Sequence, residues 1–415
     1  MNFVLNYMME KEELQGYKFP VAKNQEGKSM KLERGINLGG YLSQCVHSTE
    51  HYDAFIQEED IRKIASMGFD HVRLAIDYEV LEDEYGGTRE EGFAYVTRVV
   101  EWCKRQGLNI VLDLHKAYGY DFNNAGDKKK NILFTNKMVQ KRFVKLWIKI
   151  AEHYANETHV AFELLNEVVE QENAEVWNLL IVETVNAIRR IARDTIIIYG
   201  GIQWNSVKTL KLLEKPKDEN ILFTFHFYEP LLFTHQKAHW VSTISQTEDI
   251  YYPEAMDYYR TKSLPIGYQG EVVCKAQSQT MGTEFITEMV MEAVTAAKNA
   301  GVILYCGEFG VIDQAPVEDT LRWFTDVDTV FRQFDIGCAV WTYKEMDFRT
   351  YWGTLCTDSR TIAEALESEE GGKLVKNLVI TSNTPKPFYN NQDILIIHAL
   401  CHIVSVYFLE VYQVT

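Results

Sequence analysis

The feature that most constrains this sequence is the regular recurrence of short apolar runs, rich in β-branched residues. Eight runs occur: GINLG near residue 35, HVRLAI at 71, NIVLDLH at 109, VAFELLNE at 160, TIIIYGG at 195, ILFTFHFY at 221, VILYCGE at 302 and GCAVWTY at 337. They are apolar at successive positions, which is typical of strands covered on both faces. The runs alternate with helical patterns, and eight such units are enough to close a parallel barrel. We therefore predict an α/β protein with a (β/α)8 TIM-barrel fold.

The segments between most of these runs have helical periodicity, and several end in a glycine suited to a helix C-terminus. They include EEDIRKIASMG, FAYVTRVVEWCKRQG, VQKRFVKLWIKIAEHYA, AEVWNLLIVETVNAIRRIA and FITEMVMEAVTAAKNAG. A doubly wound open sheet would share this alternation of strands and helices. No GxGxxG motif follows the first run, however, which favours the barrel.

The spacing of the runs also predicts the domain organisation. We assign residues 33–377 to the barrel, with an insert at about 229–283 where the regular rhythm is broken. A connection of this length is functional or has structure of its own. Since it is rich in aromatic residues, including Trp240, we expect it to cover part of the catalytic face. Residues 1–32 and 378–415 are expected to be extensions, and the apolar stretch in the latter is short for a membrane span.

Charge, cysteine content and the N-terminal sequence argue against a nucleic-acid partner, a disulfide or zinc framework, and classical secretion. The chain has 42 basic and 59 acidic residues, so its net charge is −17 and a nucleic-acid partner is not expected. Its seven cysteines form no CxxC pair, and neither a disulfide framework nor a zinc site is indicated. The N-terminus lacks the basic front and continuous apolar region of a signal peptide, which predicts a cytoplasmic location or non-classical release.

Polar residues stand at or near the ends of most of the predicted strands. They are Arg73, His115, Asn166, Glu167, His226, Tyr228, Glu308 and Trp341. Each alone has an ordinary structural explanation, as a loop residue or a core aromatic. A barrel, however, directs all of its strand ends into one cup, where chemistry takes place. Glu167 and Glu308, on the fourth and seventh runs, are therefore expected to face each other.

Two opposed carboxyl groups match the requirements of glycosidic-bond hydrolysis. One protonates the leaving oxygen and the other meets the developing oxocarbenium ion; in retaining enzymes the two are about 5 to 5.5 Å apart. We predict Glu308 as the nucleophile, kept ionised by Arg73 and Tyr228. Glu167 is predicted as the general acid/base, with a pKa raised by desolvation and by the negative charge of Glu308.

Arg73 and Tyr228, together with the remaining polar residues, are also predicted to bind substrate or to organise the carboxyl groups around it. His115 and His226 can hydrogen-bond to the carboxyl groups, Asn166 can contact a sugar hydroxyl, and Trp341 offers a flat face for a sugar ring. Asn37, in the first run, and Trp240, in the insert, are further substrate-binding candidates. Two histidines and two glutamates could also hold a metal ion. No HxxxH or HxH pair brings such ligands together locally, so neither a metal nor an organic cofactor is expected.

Across residues 33 to 375 the sequence resembles glycoside hydrolase family 5, the cellulase family. The resemblance rests on RGINLGGYLSQ, DHVRLAIDYEVLE, NIVLDLH, AFELLNEVVE, FHFYEP, LYCGEFGV and AVWTYKEMDF. All eight strand-end positions above have counterparts in the family's site. The sequence looks most similar to clostridial endoglucanases with a subdomain above the sixth strand. Two departures are Lys116, where those relatives commonly have a second histidine, and Tyr41, where tryptophan is usual.

This resemblance implies a retaining endo-β-1,4-glucanase that acts on soluble cellulose derivatives and mixed-linkage β-glucans. A β-mannanase or an exo-acting β-glucosidase on the same scaffold remains an alternative, because specificity lies in loops that the motifs do not describe. A catalytically silent carbohydrate-binding barrel is a further alternative, disfavoured by the presence of both glutamates. We expect a monomer whose partner is a polysaccharide or oligosaccharide.

Overall fold

The predicted closed barrel is confirmed in the structure, a computed structural model that describes residues 30–344. The eight parallel strands, β1 to β8, are Arg34–Asn37, His71–Asp77, Asn109–Lys116, Val160–Glu163, Ile197–Gly200, Ile221–Phe227, Ile303–Phe309 and Gly337–Val340. Each strand pairs with the next along the chain, and β1 also pairs with β8. Ile36 has Val72 on one side and Val340 on the other, which closes the ring.

Helices connect the strands and cover the outside of the barrel. The α-helices α1 to α11 are Thr49–Ala54, Glu58–Ser66, Tyr78–Leu81, Glu90–Gln106, Lys137–Tyr154, Ala174–Arg189, Leu231–Thr234, Met256–Ser263, Tyr268–Lys275, Thr283–Ala300 and Val317–Gln333. Gly107 and Gly301 end α4 and α10 in the left-handed conformation, with φ of 70° and 74°. A glycine takes this conformation without a steric penalty, as the sequence pattern predicted.

The connection between β5 and β6 departs from the regular unit. In place of an α-helix it holds a six-residue 3-10 helix, Val207–Leu212. Other 3-10 turns occur at Phe122–Asn124, Gln171–Asn173 and Leu264–Ile266.

Apolar side chains fill the lower part of the barrel. They form a buried cluster of Met30, Leu32, Val111, Ala161, Ile196, Ile198, Leu222, Tyr305 and Ala339. Burial of this kind is the main stabilising contribution to a fold. Because the barrel interior is packed rather than open, reactive groups can be reached only from the ends of the strands.

Three fully buried tryptophans on the outer helices hydrogen-bond to the backbone at or just beyond the C-terminal ends of the strands. They are Trp147 in α5, Trp177 in α6 and Trp323 in α11. Their indole nitrogens donate to the backbone oxygens of Leu164, Gly200 and Glu229, at 3.0, 2.9 and 3.0 Å, respectively. A net contribution of roughly 1 kcal/mol is typical of such bonds. They connect the outer layer to the segments that follow β4, β5 and β6.

The segment between β6 and α10 has structure of its own, with α7, α8 and α9 and several buried aromatic residues. Phe233, Tyr252 and Tyr259 are at most 1% exposed. The Tyr252 hydroxyl donates to Asp326 Oδ2 at 2.9 Å, so the insert is hydrogen-bonded to α11 of the barrel. This support from α11 was not expected from the sequence, which suggested only a cover for the cleft.

The structure leaves the predicted extensions untested. Residues 1–29 and the tail 378–415 lie outside the described residues, as does the end of the predicted barrel after residue 344. Within residues 30–344, none of the helices combines the length and apolar character needed to cross a bilayer.

Candidate active site

The barrel brings the polar strand-end residues together. Arg73, His115, His226 and Glu308 lie within β2, β3, β6 and β7. Next to β7 the strand pairing is irregular, so that His226 is opposite Glu308. Such irregularities change the direction of side chains at the rims of barrels. The parallel direction of the strands and this local shift place the two residues at the same end.

The two predicted catalytic glutamates are close enough to act on one bond. A carboxylate oxygen of Glu167 and one of Glu308 lie within 4.8 Å of each other. The two residues are 8% and 5% exposed. A separation of about 5 to 5.5 Å between carboxyl groups is typical of retaining glycosidases, and inverting enzymes need about 6.5 to 9.5 Å to admit a water molecule. The geometry therefore matches the retaining class.

Both oxygens of Glu308 accept hydrogen bonds. Arg73 Nη1 donates to Oε1 at 2.8 Å, and the Tyr228 hydroxyl donates to Oε2 at 3.0 Å. A guanidinium and a phenol that donate to a carboxylate both stabilise its charged form. The contacts predicted from the sequence for Glu308 are thus present.

Arg73 is the centre of a buried charge network that includes two residues missed in the sequence. Its guanidinium donates to both oxygens of Glu163, at 2.7 and 3.0 Å, and lies 3.1 Å from Asp113 Oδ2. Asp113 and Glu163 are fully buried. Together with Glu308, three carboxyl groups surround one guanidinium. An acidic residue inside an otherwise apolar run, as in NIVLDLH and VAFELLNE, was the signal that could have revealed them.

The network changes the predicted roles of Arg73 and Asn37. Both were named as substrate-binding residues, yet both are fully buried. The Asn37 amide nitrogen donates to backbone oxygens of Gly307, Ala339 and Val340, and its carbonyl accepts from Arg73 at 2.9 Å. Because protein groups engage the side chain at both ends, the geometry does not favour Asn37 as a substrate-binding residue. The two residues lie beneath the carboxyl groups and position Glu308.

Glu167 has the pKa expected of an acid that keeps its proton near neutrality. Burial raises the pKa of Glu167 to about 7, against the opposing effects of His115 and Arg73. The predicted direction is therefore confirmed. The cause differs in part, because desolvation accounts for the rise and repulsion from Glu308 is not among its causes.

His226 holds Glu167 in place as a neutral imidazole. Its Nδ1 lies 2.6 Å from Glu167 Oε1 and 3.5 Å from Glu308 Oε2. Burial lowers the pKa of His226 to about 4, despite the nearby charge of Glu308. The amide of Asn205, a residue missed in the sequence, lies 3.5 Å from Nε2. With that nitrogen as the acceptor, Nδ1 carries the hydrogen and donates it to Glu167.

Asn166 and His115 are also held by the network. Asn166 Oδ1 accepts from Arg73 at 2.8 Å. His115 Nδ1 lies 2.6 Å from Asp113 Oδ2, and its ring stacks on Trp341 with 5.5 Å between centroids and an angle of 8°. The carboxyl of Asp113 therefore fixes the orientation of the imidazole. Trp341 packs its ring against a side chain that is itself fixed.

Trp240 reaches the catalytic carboxyl groups only indirectly, through other aromatic side chains. Its ring is 46% exposed and meets the edge of His235, with 6.4 Å between centroids. The His235 ring in turn contacts the Tyr228 ring, with 5.1 Å between centroids, and the Tyr228 hydroxyl donates a hydrogen bond to Glu308. The structure thus links Trp240 to the site through two ring contacts but does not place it beside the carboxyl groups.

Among residues 30–344, two groups of side chains have the spacing of metal ligands: Glu167, His226 and Glu308, and a second group of His47, Asp77 and Glu79. In the first group, Arg73 and Tyr228 already donate to Glu308. A cation would compete with a guanidinium at the same carboxylate, which disfavours binding by Coulomb repulsion. The arrangement instead suits acid/base and nucleophilic chemistry.

The comparison with known families decides the assignment suggested by this geometry. The cellulase family, glycosyl hydrolase family 5, matches residues 26–347 of the chain. The chain belongs to glycosyl hydrolase family 5. The resemblance inferred from the strand-end motifs is therefore confirmed, and the matched residues include both glutamates and the whole barrel.

Two similar proteins match most of the chain. Endoglucanase C of Acetivibrio thermocellus is 42% identical over 335 residues, which are 77% of this chain and 93% of the relative. Cellodextrinase A of Ruminococcus flavefaciens is 36% identical over 343 residues, covering 82% and 93%. Among solved structures, endoglucanase Cel5A from Thermotoga maritima is 25% identical, covers 81% of this chain and 97% of its own, and superposes with a TM-score of 0.61.

Proposed function

We propose that this family 5 protein is a retaining endo-β-1,4-glucanase that acts on soluble cellulose derivatives and mixed-linkage β-glucans. The observation that carries the proposal is the pair of carboxyl groups with oxygens within 4.8 Å of each other. The similarity to an endoglucanase at 42% identity supports the substrate class. The proposal requires no metal and no organic cofactor.

In the first step, Glu308 attacks the anomeric carbon while Glu167 gives its proton to the departing oxygen. The C–O bond to the leaving sugar breaks as the ester to Glu308 forms, so the leaving group departs as an alcohol. Arg73 and Tyr228 orient the attacking carboxylate. Pre-positioned charge of this kind lowers the barrier, because no reorganisation is needed during the reaction.

In the second step, Glu167 acts as the base. The ester has removed the charge of Glu308, and Glu167 has given up its proton in the first step. Its carboxylate takes a proton from a water molecule, which attacks the anomeric carbon and breaks the ester. The neutral His226 holds Glu167 through both steps without competing as an acid, since its pKa is about 4.

Substrate contacts are assigned by the groups that remain available. The carbonyl of Asn166 is held by Arg73, so its amide nitrogen is the group that can donate to the hydroxyl next to the reacting carbon. Trp341 supplies an apolar face for the sugar ring. We propose that Trp240 contacts the glucan farther from the reacting bond, from its exposed position in the insert.

The similarity to a cellodextrinase favours a second candidate, an enzyme of the same mechanism that removes short units from chain ends. Digestion of carboxymethylcellulose, lichenan and glucomannan separates the two. Endo action gives a rapid fall in viscosity and oligosaccharides early in the digest. Glucose or cellobiose alone at every time point would reject endo action, and preference for glucomannan would favour the mannanase alternative. Proton NMR of the first products tests retention, which predicts the β-anomer.

A further inference from the structure

The turn after β1 contains a residue whose backbone conformation needs an explanation. Gln44 has a φ of 52°, in the left-handed region that side chains other than glycine rarely adopt. Its backbone nitrogen donates to Asp77 Oδ2 at 3.2 Å. Such conformations persist where surrounding groups hold them, often at functional sites. The structure therefore holds the side chain of Gln44 in one particular place.

The group that holds the turn is itself fixed by several donors. Asp77, at the end of β2, is fully buried and accepts from the Ser43 hydroxyl at 2.6 Å. Its Oδ2 lies 3.2 Å from His47 Nε2 and 3.4 Å from the Lys116 ammonium. These donors occupy the carboxylate, so the group of His47, Asp77 and Glu79 is a poor metal site. Through its bonds to Ser43 and to the backbone of Gln44, Asp77 instead stabilises the turn at Gln44.

The side chain of Gln44 reaches the ring that stacks on Trp341. Gln44 Nε2 lies 3.2 Å from His115 Nε2. Asp113 binds the other ring nitrogen of His115 at 2.6 Å, and a carboxylate takes an N–H donor there. His115 Nε2 is therefore the acceptor, and the Gln44 amide nitrogen donates to it. The amide nitrogen of Gln44 therefore faces His115, and its carbonyl oxygen faces away from the ring.

With its nitrogen engaged, Gln44 has its carbonyl oxygen left for another partner. No side chain or backbone group among residues 30–344 is seen to donate to Oε1. The residue is half-buried, and its amide touches the imidazole that packs on Trp341. A hydrogen-bond acceptor thus lies one side chain away from Trp341, the aromatic residue assigned to the sugar ring. A sugar hydroxyl is the donor that this position can receive.

We propose that Gln44 is a substrate-contacting residue, whose carbonyl oxygen accepts a hydrogen bond from one hydroxyl of the glucosyl unit packed on Trp341. Asp77 acts as a positioning residue, because it holds the turn that presents the amide. The inference rests on the proposed glucanase function and adds a specificity contact to it. A site that accepts a hydroxyl in one orientation disfavours sugars in which that hydroxyl is missing or inverted.

The test compares Gln44→Ala with wild type on phenyl β-cellobioside and its monodeoxy analogues, one for each hydroxyl of the two glucosyl units. We expect Gln44→Ala to lower kcat/KM on the parent about 3- to 10-fold, the effect of one neutral hydrogen bond. For one analogue, kcat/KM should be the same with Gln44→Ala as with wild type, because that analogue already lacks the hydroxyl that donates to Gln44. Equal losses on the parent and all analogues, or no loss at all, would overturn the assignment.

Two further variants separate contact from general disturbance. Gln106→Ala, at the end of α4 and just before the start of β3, lies at the other end of the strands; it is the matched control and should retain wild-type kinetics. Asp77→Asn should reproduce the analogue pattern of Gln44→Ala, and the double variant should lose no more than Gln44→Ala alone. A uniform loss on every analogue would make Asp77 purely structural and overturn its positioning role. If wild type fails to cleave the parent and all glucans, the glucanase proposal fails first.

Discussion

The pKa of Glu167 predicts how the activity should depend on pH. Burial raises it from 4.5 to about 7. At pH 8 about 9% of Glu167 would then be protonated, compared with roughly 0.03% for an unperturbed glutamate. Because the first step needs the protonated form, kcat/KM should fall about tenfold per pH unit above neutrality. Below pH 6 this group should no longer limit the rate.

The assay measures kcat/KM between pH 4 and 10 for two substrates that differ in their need for protonation. Phenyl β-cellobioside has a poor leaving group and should show an alkaline limb near pH 7. The aglycone of dinitrophenyl β-cellobioside leaves as the stable dinitrophenolate anion without needing a proton, so the alkaline limb near pH 7 should be absent or strongly reduced for this substrate. Identical limbs for both substrates would refute the reasoning, since the titrating group would then not be the acid that protonates the leaving oxygen.

Three other predictions follow from the buried network and the insert. Arg73→Lys replaces five hydrogen bonds by a single point charge, and we expect a loss of about 3 kcal/mol in urea unfolding and of ~100-fold in kcat; near-native values would contradict its central role. Glu167→Gln removes a group whose folded pKa of about 7 exceeds the unfolded 4.5. Stability from this group is present below pH 4.5 and lost as pH rises through 7, so the Tm of the variant relative to wild type should rise between pH 4 and 8; a pH-independent difference would contradict this. Trp240→Ala should raise KM on long glucans several-fold and leave phenyl β-cellobioside unaffected, whereas equal effects on both would place Trp240 elsewhere.

The barrel was predictable because each strand is apolar on both faces and most are followed by a helical pattern. All seven residues of β2 are buried, and so are those of β6, which matches runs that carry apolar residues on both faces. The insert was located by the broken rhythm alone. Its three helices and its support from α11 depend on contacts far apart in the sequence, such as Tyr252 with Asp326, and no local pattern reports such contacts.

In the site, the pair Glu167 and Glu308 was predictable because both follow the rule that chemistry lies at strand ends. The sequence did not predict which of the other polar residues are free to contact substrate. Asn37 ends β1 and Arg73 lies within β2, yet the side chains of both turn inward and are fully buried. Direction and burial depend on how neighbouring strands are staggered, and the shift next to β7 is one example. A sequence alone does not show that stagger.

The most direct test of the account is to trap the covalent intermediate. A 2-deoxy-2-fluoro-β-cellobiosyl reagent with a good leaving group should inactivate the enzyme and add one glycosyl unit, and peptide mass spectrometry should find it on Glu308. Glu308→Gln should not be labelled. A label on any other residue would contradict the proposed nucleophile. No label, together with products of inverted configuration, would contradict the retaining mechanism that the carboxyl separation predicts.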